Sequence, residues 1–175
     1  LAAAPAQPTI KERGTAMIRI EISLFLKNVP GELARLTDLF GRAGINIDAI
    51  TIQDASAYVQ NLFEARGKSL KRLASSASYS SMRKDSAEFA LVRLLTDNPD
   101  ASVALLKENA YLFDTKEVVA VDITNQPGEF AKIAKKFGEE QININYVYGS
   151  VSDADGKCLF VFCPEDVAYA ASFFE

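Results

Sequence analysis

The sequence predicts an α+β protein built from two βαββαβ units, antiparallel sheets with helices on one face, the second unit lacking its last strand. The first reason is an internal repeat. Asn28-Val29-Pro30-Gly31-Glu32 recurs as Asn125-Gln126-Pro127-Gly128-Glu129, and at a constant offset of 97 positions residues 28–47 and 125–144 share 10 identities in 20. The second reason is that a strand-like alternation precedes each copy and a helical period follows it. The third is that the chain stops after the second helical segment of the second copy, before another strand.

From Ile18 the first copy alternates, with Ile18, Ile20, Ile22, Leu24 and Leu26 on one face and Arg19, Glu21, Ser23 and Lys27 on the other. Phe25 is the exception, and the pattern is that of a half-buried strand with a solvent face. Pro30 fits the first turn of a helix, and Leu33, Leu36, Leu39, Phe40 and Ala43 recur at helical spacing until Gly44 stops it. Ile45 to Gln53 forms the second strand. Its apolar phase switches between Ile45/Ile47 and Ile50/Ile52, which predicts a bulge near Asp48 or Ala49. Glu88 to Leu95, Pro99 to Asn109 and Tyr111 to Lys116 supply a strand, a helix and a short fourth strand.

The order then restarts, with a strand over Val118 to Ile123, a helix over Pro127 to Glu140 and a strand over Ile142 to Val151. The Asp153-Ala154-Asp155-Gly156 turn, a strand over Lys157 to Cys163 and a helix over Pro164 to Phe174 complete it. In Cys158 to Cys163 both faces are apolar: Cys158, Phe160 and Phe162 on one, Leu159, Val161 and Cys163 on the other. Helices cover only one face, so the other is expected to pack on a second copy or on the other half. The organisation is then a tail over 1–17, a first unit over 18–117 interrupted by an insertion at 55–86, and a second unit over 118–175. The insertion carries a helical apolar stripe and a Ser-rich stretch, with six basic residues against Glu64 and Asp85, which fits a basic arm that contacts an acidic partner or nucleic acid and equally a solvated or self-docking amphipathic hairpin.

Composition narrows the function. The 175 residues are 49% hydrophobic and 24% charged, as in ordinary soluble chains, and no apolar run approaches the roughly 18 residues that span a bilayer. No membrane association and a cytoplasmic location are expected. The chain has no histidine, which removes the commonest general base and the commonest neutral metal ligand. No catalytic constellation, metal site or cofactor is expected. Cys158 and Cys163 lie five apart and point to opposite faces, as buried reduced thiols. The formal charge of -4 argues against nucleic acid, although the same strand order serves RNA recognition, where Phe160 and Phe162 would stack bases.

The repeated motif carries the chemistry. Free N–H groups and the positive dipole end at a helix start favour a carboxylate. Gly31 and Gly128 permit close approach, and Asn28 and Asn125 add an amide that both donates and accepts, suited to a zwitterion. Asn46 and Asn143, alternating with isoleucines, close the same site or that of an adjoining subunit. The candidate ligand set is therefore Asn28, Pro30, Gly31, Glu32 and Asn46, with Asn125, Pro127, Gly128, Glu129 and Asn143. Each residue also has a plain structural use, since Pro-Gly turns and Asn caps are common.

At these residues the chain resembles the ACT domain family, in which a strand, Asn-x-Pro-Gly, a helix and Gly-x-Asn-Ile follow one another. Here Gly44-Ile45-Asn46-Ile47 completes the first copy and Gln141-Ile142-Asn143-Ile144 the second. The resemblance, and the layout similar to stand-alone tandem ACT proteins, imply a ferredoxin-like fold. They also imply an amino acid effector bound where ACT domains pair, a homodimer, and regulation of a metabolic enzyme partner. The function expected is a non-enzymatic regulatory module that binds an amino acid or similar small carboxylate. The alternative is a regulatory subunit or detached regulatory domain acting by protein pairing without its own ligand. Gln141 in place of Gly44, the insertion and the missing strand make the two sites unequal.

Overall fold

The computed structural model describes residues 16–54, 89–152 and 156–174. Residues 1–15, the insertion at 55–86 with its basic arm, and the tip of the Asp153-Ala154-Asp155-Gly156 turn lie outside the described residues. In chain order the elements are β1 Ala16–Lys27, α1 Glu32–Arg42, β2 Ile47–Asp54, β3 Phe89–Thr96, α2 Pro99–Glu108, β4 Phe113–Thr124, α3 Glu129–Glu139, β5 Ile144–Ser152, β6 Lys157–Pro164 and α4 Val167–Ser172. None of the described helices is long and apolar enough to cross a membrane.

All six strands join one antiparallel sheet in the order β2-β3-β1-β4-β6-β5. The sequence offset of 97 carries β1 onto β4 and α1 onto α3 without a residue's slip, since both strands have 12 residues and both helices 11. β4 is therefore continuous, where two strands meeting near residue 117 were expected. Its first half is the fourth strand of the first unit and its second half the first strand of the second. β1 is used the same way. Its C-terminal half pairs with β3 as the first strand of its own unit, while Ala16 to Arg19 pair with Val121 to Val118. Among the described residues no fourth strand of the second unit follows β6, and the start of β1, opening two residues earlier than expected, occupies that edge. Ile20 pairs with Glu117, its own repeat equivalent, so the pseudo-two-fold axis passes through this pair.

The helices lie on one face over two equivalent cores. In the first, Ile22, Leu24 and Leu26 of β1 meet Leu36 and Phe40 of α1; in the second, Val119, Val121 and Ile123 of β4 meet Phe137 of α3 and Phe162 of β6. The other face is covered too. Ala49 of β2 and Leu95 of β3 pack with Val118 and Ala120 of β4 and Val161 and Cys163 of β6. The two edge strands, β2 and β5, come into contact, so the sheet curls and its bare faces meet. Cover by the other half is what the doubly apolar β6 predicted. Cys158 and Cys163 are both buried, on opposite faces.

The bulge expected near Asp48 is present between Ile47 and Ala49, and again at the equivalent step between Ile144 and Tyr146. The last helix is shorter than expected. Pro164 still belongs to β6, and Asp166 caps α4 by accepting from the Tyr169 amide at 2.9 Å.

Candidate functional site

Both copies of the motif fold alike. Glu32 N donates to Val29 O at 3.4 Å and Glu129 N to Gln126 O at 3.3 Å, so each Pro-Gly closes a reverse turn. Gly31 (φ 95°, ψ −19°) and Gly128 (φ 90°, ψ −14°) are left-handed, as the third position of a type II turn requires. A Cβ at either glycine would meet nothing within 4 Å, so backbone conformation, not crowding, selects glycine. Pro30 and Pro127 consequently sit in the turn before the helix, not in its first turn.

The helix starts differ from the other two in a way that bears on ligands. α2 is capped by Asn98, whose Oδ1 accepts from Ala101 N at 3.0 Å, and α4 by Asp166, whereas α1 and α3 have no side-chain cap. The turns that lead into them are exposed at Asn28, Pro30 and Gly31, and at Asn125, Pro127 and Gly128. Glu32 and Glu129 open the helices and are bonded one turn on, to Arg35 at 3.1 Å and to Lys132. Each turn thus offers N–H donors and an amide next to a carboxylate, the two halves of a zwitterion's recognition.

Asn46 and Asn143 lie elsewhere. They stand at the far end of α1 and α3, about 16 Å along an 11-residue helix from the turns. Asn46 makes two bonds with Asp97 through its own main chain, its N–H donating to the side-chain Asp97 Oδ1 at 3.0 Å and its carbonyl accepting from Asp97 N at 3.1 Å. Its side chain donates to Asp48 Oδ1 at 2.8 Å, and Arg19 bridges Asp48 Oδ2 at 2.6 Å and Thr96 O at 2.7 Å. Asn143 repeats the clasp with Glu165, donating from Nδ2 to Oε1 at 3.3 Å while its carbonyl accepts Glu165 N at 3.1 Å. Within one chain Asn28 and Asn46 therefore do not share a pocket. The turns at Asn28 and Asn125 end antiparallel strands and lie at opposite ends of the sheet, so no small ligand touches both.

One charged cluster escaped the sequence reading. Glu21, placed there on a solvent face, is 0% exposed. Its Oε1 accepts from Tyr146 Oη at 2.5 Å and Ser23 Oγ at 3.2 Å, its Oε2 from Tyr148 Oη at 3.0 Å, and Arg93 Nε stands 3.9 Å away. The Arg93 guanidinium stacks 4.1 Å from the Tyr146 ring centroid and donates to Gln53 Oε1 at 3.2 Å. Burial, then the Glu21 hydrogen bond and charge, raise the Tyr146 pKa; burial, then the Glu21 charge and hydrogen bond, raise that of Tyr148. The signal was available in β6, whose two apolar faces meant that the face opposite the helices is interior along the whole sheet. Phe162, considered as a base-stacking ring, is fully buried between Phe130 and Phe137.

No curated protein matches the chain significantly. Among solved structures, protein BT0572 from Bacteroides thetaiotaomicron shares 22% identity at a TM-score of 0.64, covering 90% of this chain and 87% of that one. The ligand-free regulatory subunit of aspartate kinase from Thermus thermophilus shares 11% identity at a TM-score of 0.54, covering 92% of both chains. These likenesses establish a common fold. A family model described as an ACT domain pair matches residues 64–171, and a single ACT domain model matches residues 20–73. With the duplicated turn, the shared six-stranded sheet and a pair model spanning more than half of the sequence, the chain belongs to the ACT domain family as a pair of ACT domains.

Proposed function

We propose that the protein is a non-enzymatic regulatory module whose Asn28–Glu32 and Asn125–Glu129 turns bind an amino acid or similar small carboxylate where ACT units of two chains pair. The observation that carries this reading is the contrast among helix starts: the two in the duplicated motif are uncapped and glycine-led, while α2 and α4 are capped by their own side chains. An incoming carboxylate supplies the missing acceptor, and Asn28 or Asn125 with the neighbouring glutamate receives the ammonium. Since the two turns of one chain are far apart, a ligand held from two sides draws its second side from another subunit, so a homodimer is part of the proposal. A cytoplasmic metabolic enzyme is the expected object of regulation. In that arrangement Asn46 or Asn143 serves a partner's turn or only its own clasp.

A thermal-shift screen of amino acids and related carboxylates tests this. At 100 times its dissociation constant a ligand stabilises the folded state by about 2.7 kcal/mol, a melting shift of roughly 5–10 °C for a chain of this size. Asn28→Ala and Asn125→Ala should each remove the response of one site. Absence of any shift and of any calorimetric heat across the set refutes ligand binding.

A second reading, pairing without a ligand, draws support from the edge strands. Ile50 (37% exposed) and Ile52 (47%) of β2, with Val147 (37%) of β5, leave apolar area in solvent. Co-purification of a stable enzyme partner unaffected by any amino acid favours that reading.

A further inference from the structure

We infer that the buried cluster around Glu21 is a latch that closes the curled sheet, holding the outer edge of the second unit against the first and making the two units open and close as one body. It is independent of any ligand at the turns. The two units are joined along the β1–β4 ladder at the middle of the sheet, but β5 is four strands from β3 and reaches the first unit only across the interior. There Tyr146 and Tyr148 direct both hydroxyls at one carboxylate of β1, and Arg93 of β3 stacks on the Tyr146 ring. The tyrosine rings pack against the interior apolar cluster, so each side chain has an apolar body in the core and a polar tip on the latch.

The repeat places apolar residues where this cluster has its equivalents. The pseudo-two-fold sets Val118 opposite Glu21, and the matching ladder positions set Val161 opposite Arg93 and Ala49 opposite Tyr146. Those three residues belong to the apolar interior. One side of the axis is thus closed by apolar packing and the other by charge and hydroxyls. A buried ion pair adds little net stability over apolar packing, yet losing one member leaves the other stranded. Such a contact is selective: it is satisfied only in the closed geometry, and water satisfies the same groups when the edge lifts.

Hydrogen exchange resolved by strand tests the latch. In the wild type, the β5 amides bonded to β6 should exchange as slowly as the slowest of β3. Glu21→Gln keeps the volume but removes the charge that receives two hydroxyls, and should accelerate exchange in β5 by about tenfold or more while β1 and β3 change little. Tyr146→Phe/Tyr148→Phe, which keeps both rings, should give the same local effect and add little to Glu21→Gln. Tyr148→Phe alone carries the test if Glu21→Gln does not fold. Equal acceleration across both units, unchanged β5, or full additivity of the Glu21 and tyrosine changes would overturn the latch.

Discussion

The residue after the helix terminus offers a reciprocal experiment on the repeat. α1 ends with Gly44 N donating to Gly41 O at 3.1 Å and Ile45 N to Phe40 O at 3.0 Å, the paired bonds of a Schellman motif. α3 repeats them with Gln141 N to Gly138 O at 3.2 Å and Ile142 N to Phe137 O at 3.0 Å, and α2 with Ala110 N to Lys107 O at 3.1 Å and Tyr111 N to Leu106 O at 3.0 Å. The pivot is left-handed in all three, at φ 70°, 56° and 56°, but only the first is glycine. A left-handed L-residue costs about 1–2 kcal/mol, and glycine returns about 0.5–1 kcal/mol of that through its freer unfolded chain. Gln141→Gly and Ala110→Gly should therefore each stabilise by about 0.5–1 kcal/mol, and Gly44→Gln should destabilise by as much. The pivots close different helices, so the two gains should add to about 1–2 kcal/mol. Urea denaturation reads this as a rise in midpoint at unchanged slope. If both glycine variants lower the midpoint, or Gly44→Gln raises it, the pivots are not strained and the reasoning fails.

Removing the Asn98 cap with Asn98→Ala should cost about 1 kcal/mol, whereas Asn28→Ala, beside an uncapped helix, should stay within about 0.5 kcal/mol. A large loss at Asn28 would mean a structural post there. Alkaline unfolding tests the two buried hydroxyls. Their folded pKa values lie above the unfolded value of about 10, so their stabilisation is complete below that pH and is lost as pH rises through the folded values. Above pH 10 the wild type should lose up to about 1.4 kcal/mol per pH unit for each tyrosine relative to the Tyr146→Phe/Tyr148→Phe protein, less to the extent that water reaches the rings. Parallel pH profiles for the two proteins would contradict this.

Much of the architecture was readable because the repeat reports on itself. The phase switch in Ile45 to Ile52 marked the bulge, and the doubly apolar Cys158 to Cys163 marked a covered second face. Glu21 was misplaced because alternation tells two faces apart without saying which one is wet. When both are interior, the polar face is a buried network and the period looks the same. β4 was divided because the repeat restarts within it, although nothing from Phe113 to Thr124 is a glycine or proline that would end a strand. Asn46 and Asn143 stand in a clasp that joins the start of β2 or β5 to the residues after β3 or β6, a contact across 51 or 22 positions that no local pattern displays. The turns were legible only in part, since Pro30 was placed in the first turn of the helix, whereas each Pro-Gly closes a reverse turn before it with a left-handed glycine.

The exchange of half-strands between β1 and β4 has a consequence for synthesis. Ala16 to Arg19 leave the ribosome about a hundred residues before Val118 to Val121, their partners. The earliest segment of the ladder waits for one of the latest, and during that wait Met17 and Ile18 belong to an unpaired template. Contacts so distant in sequence slow folding and prolong exposure to wrong partners. Cutting the gene at the apparent boundary near residue 117 would strip the second half of the edge that the start of β1 supplies and leave Ala16 to Arg19 unpaired, so the smallest inheritable unit of this fold is the pair.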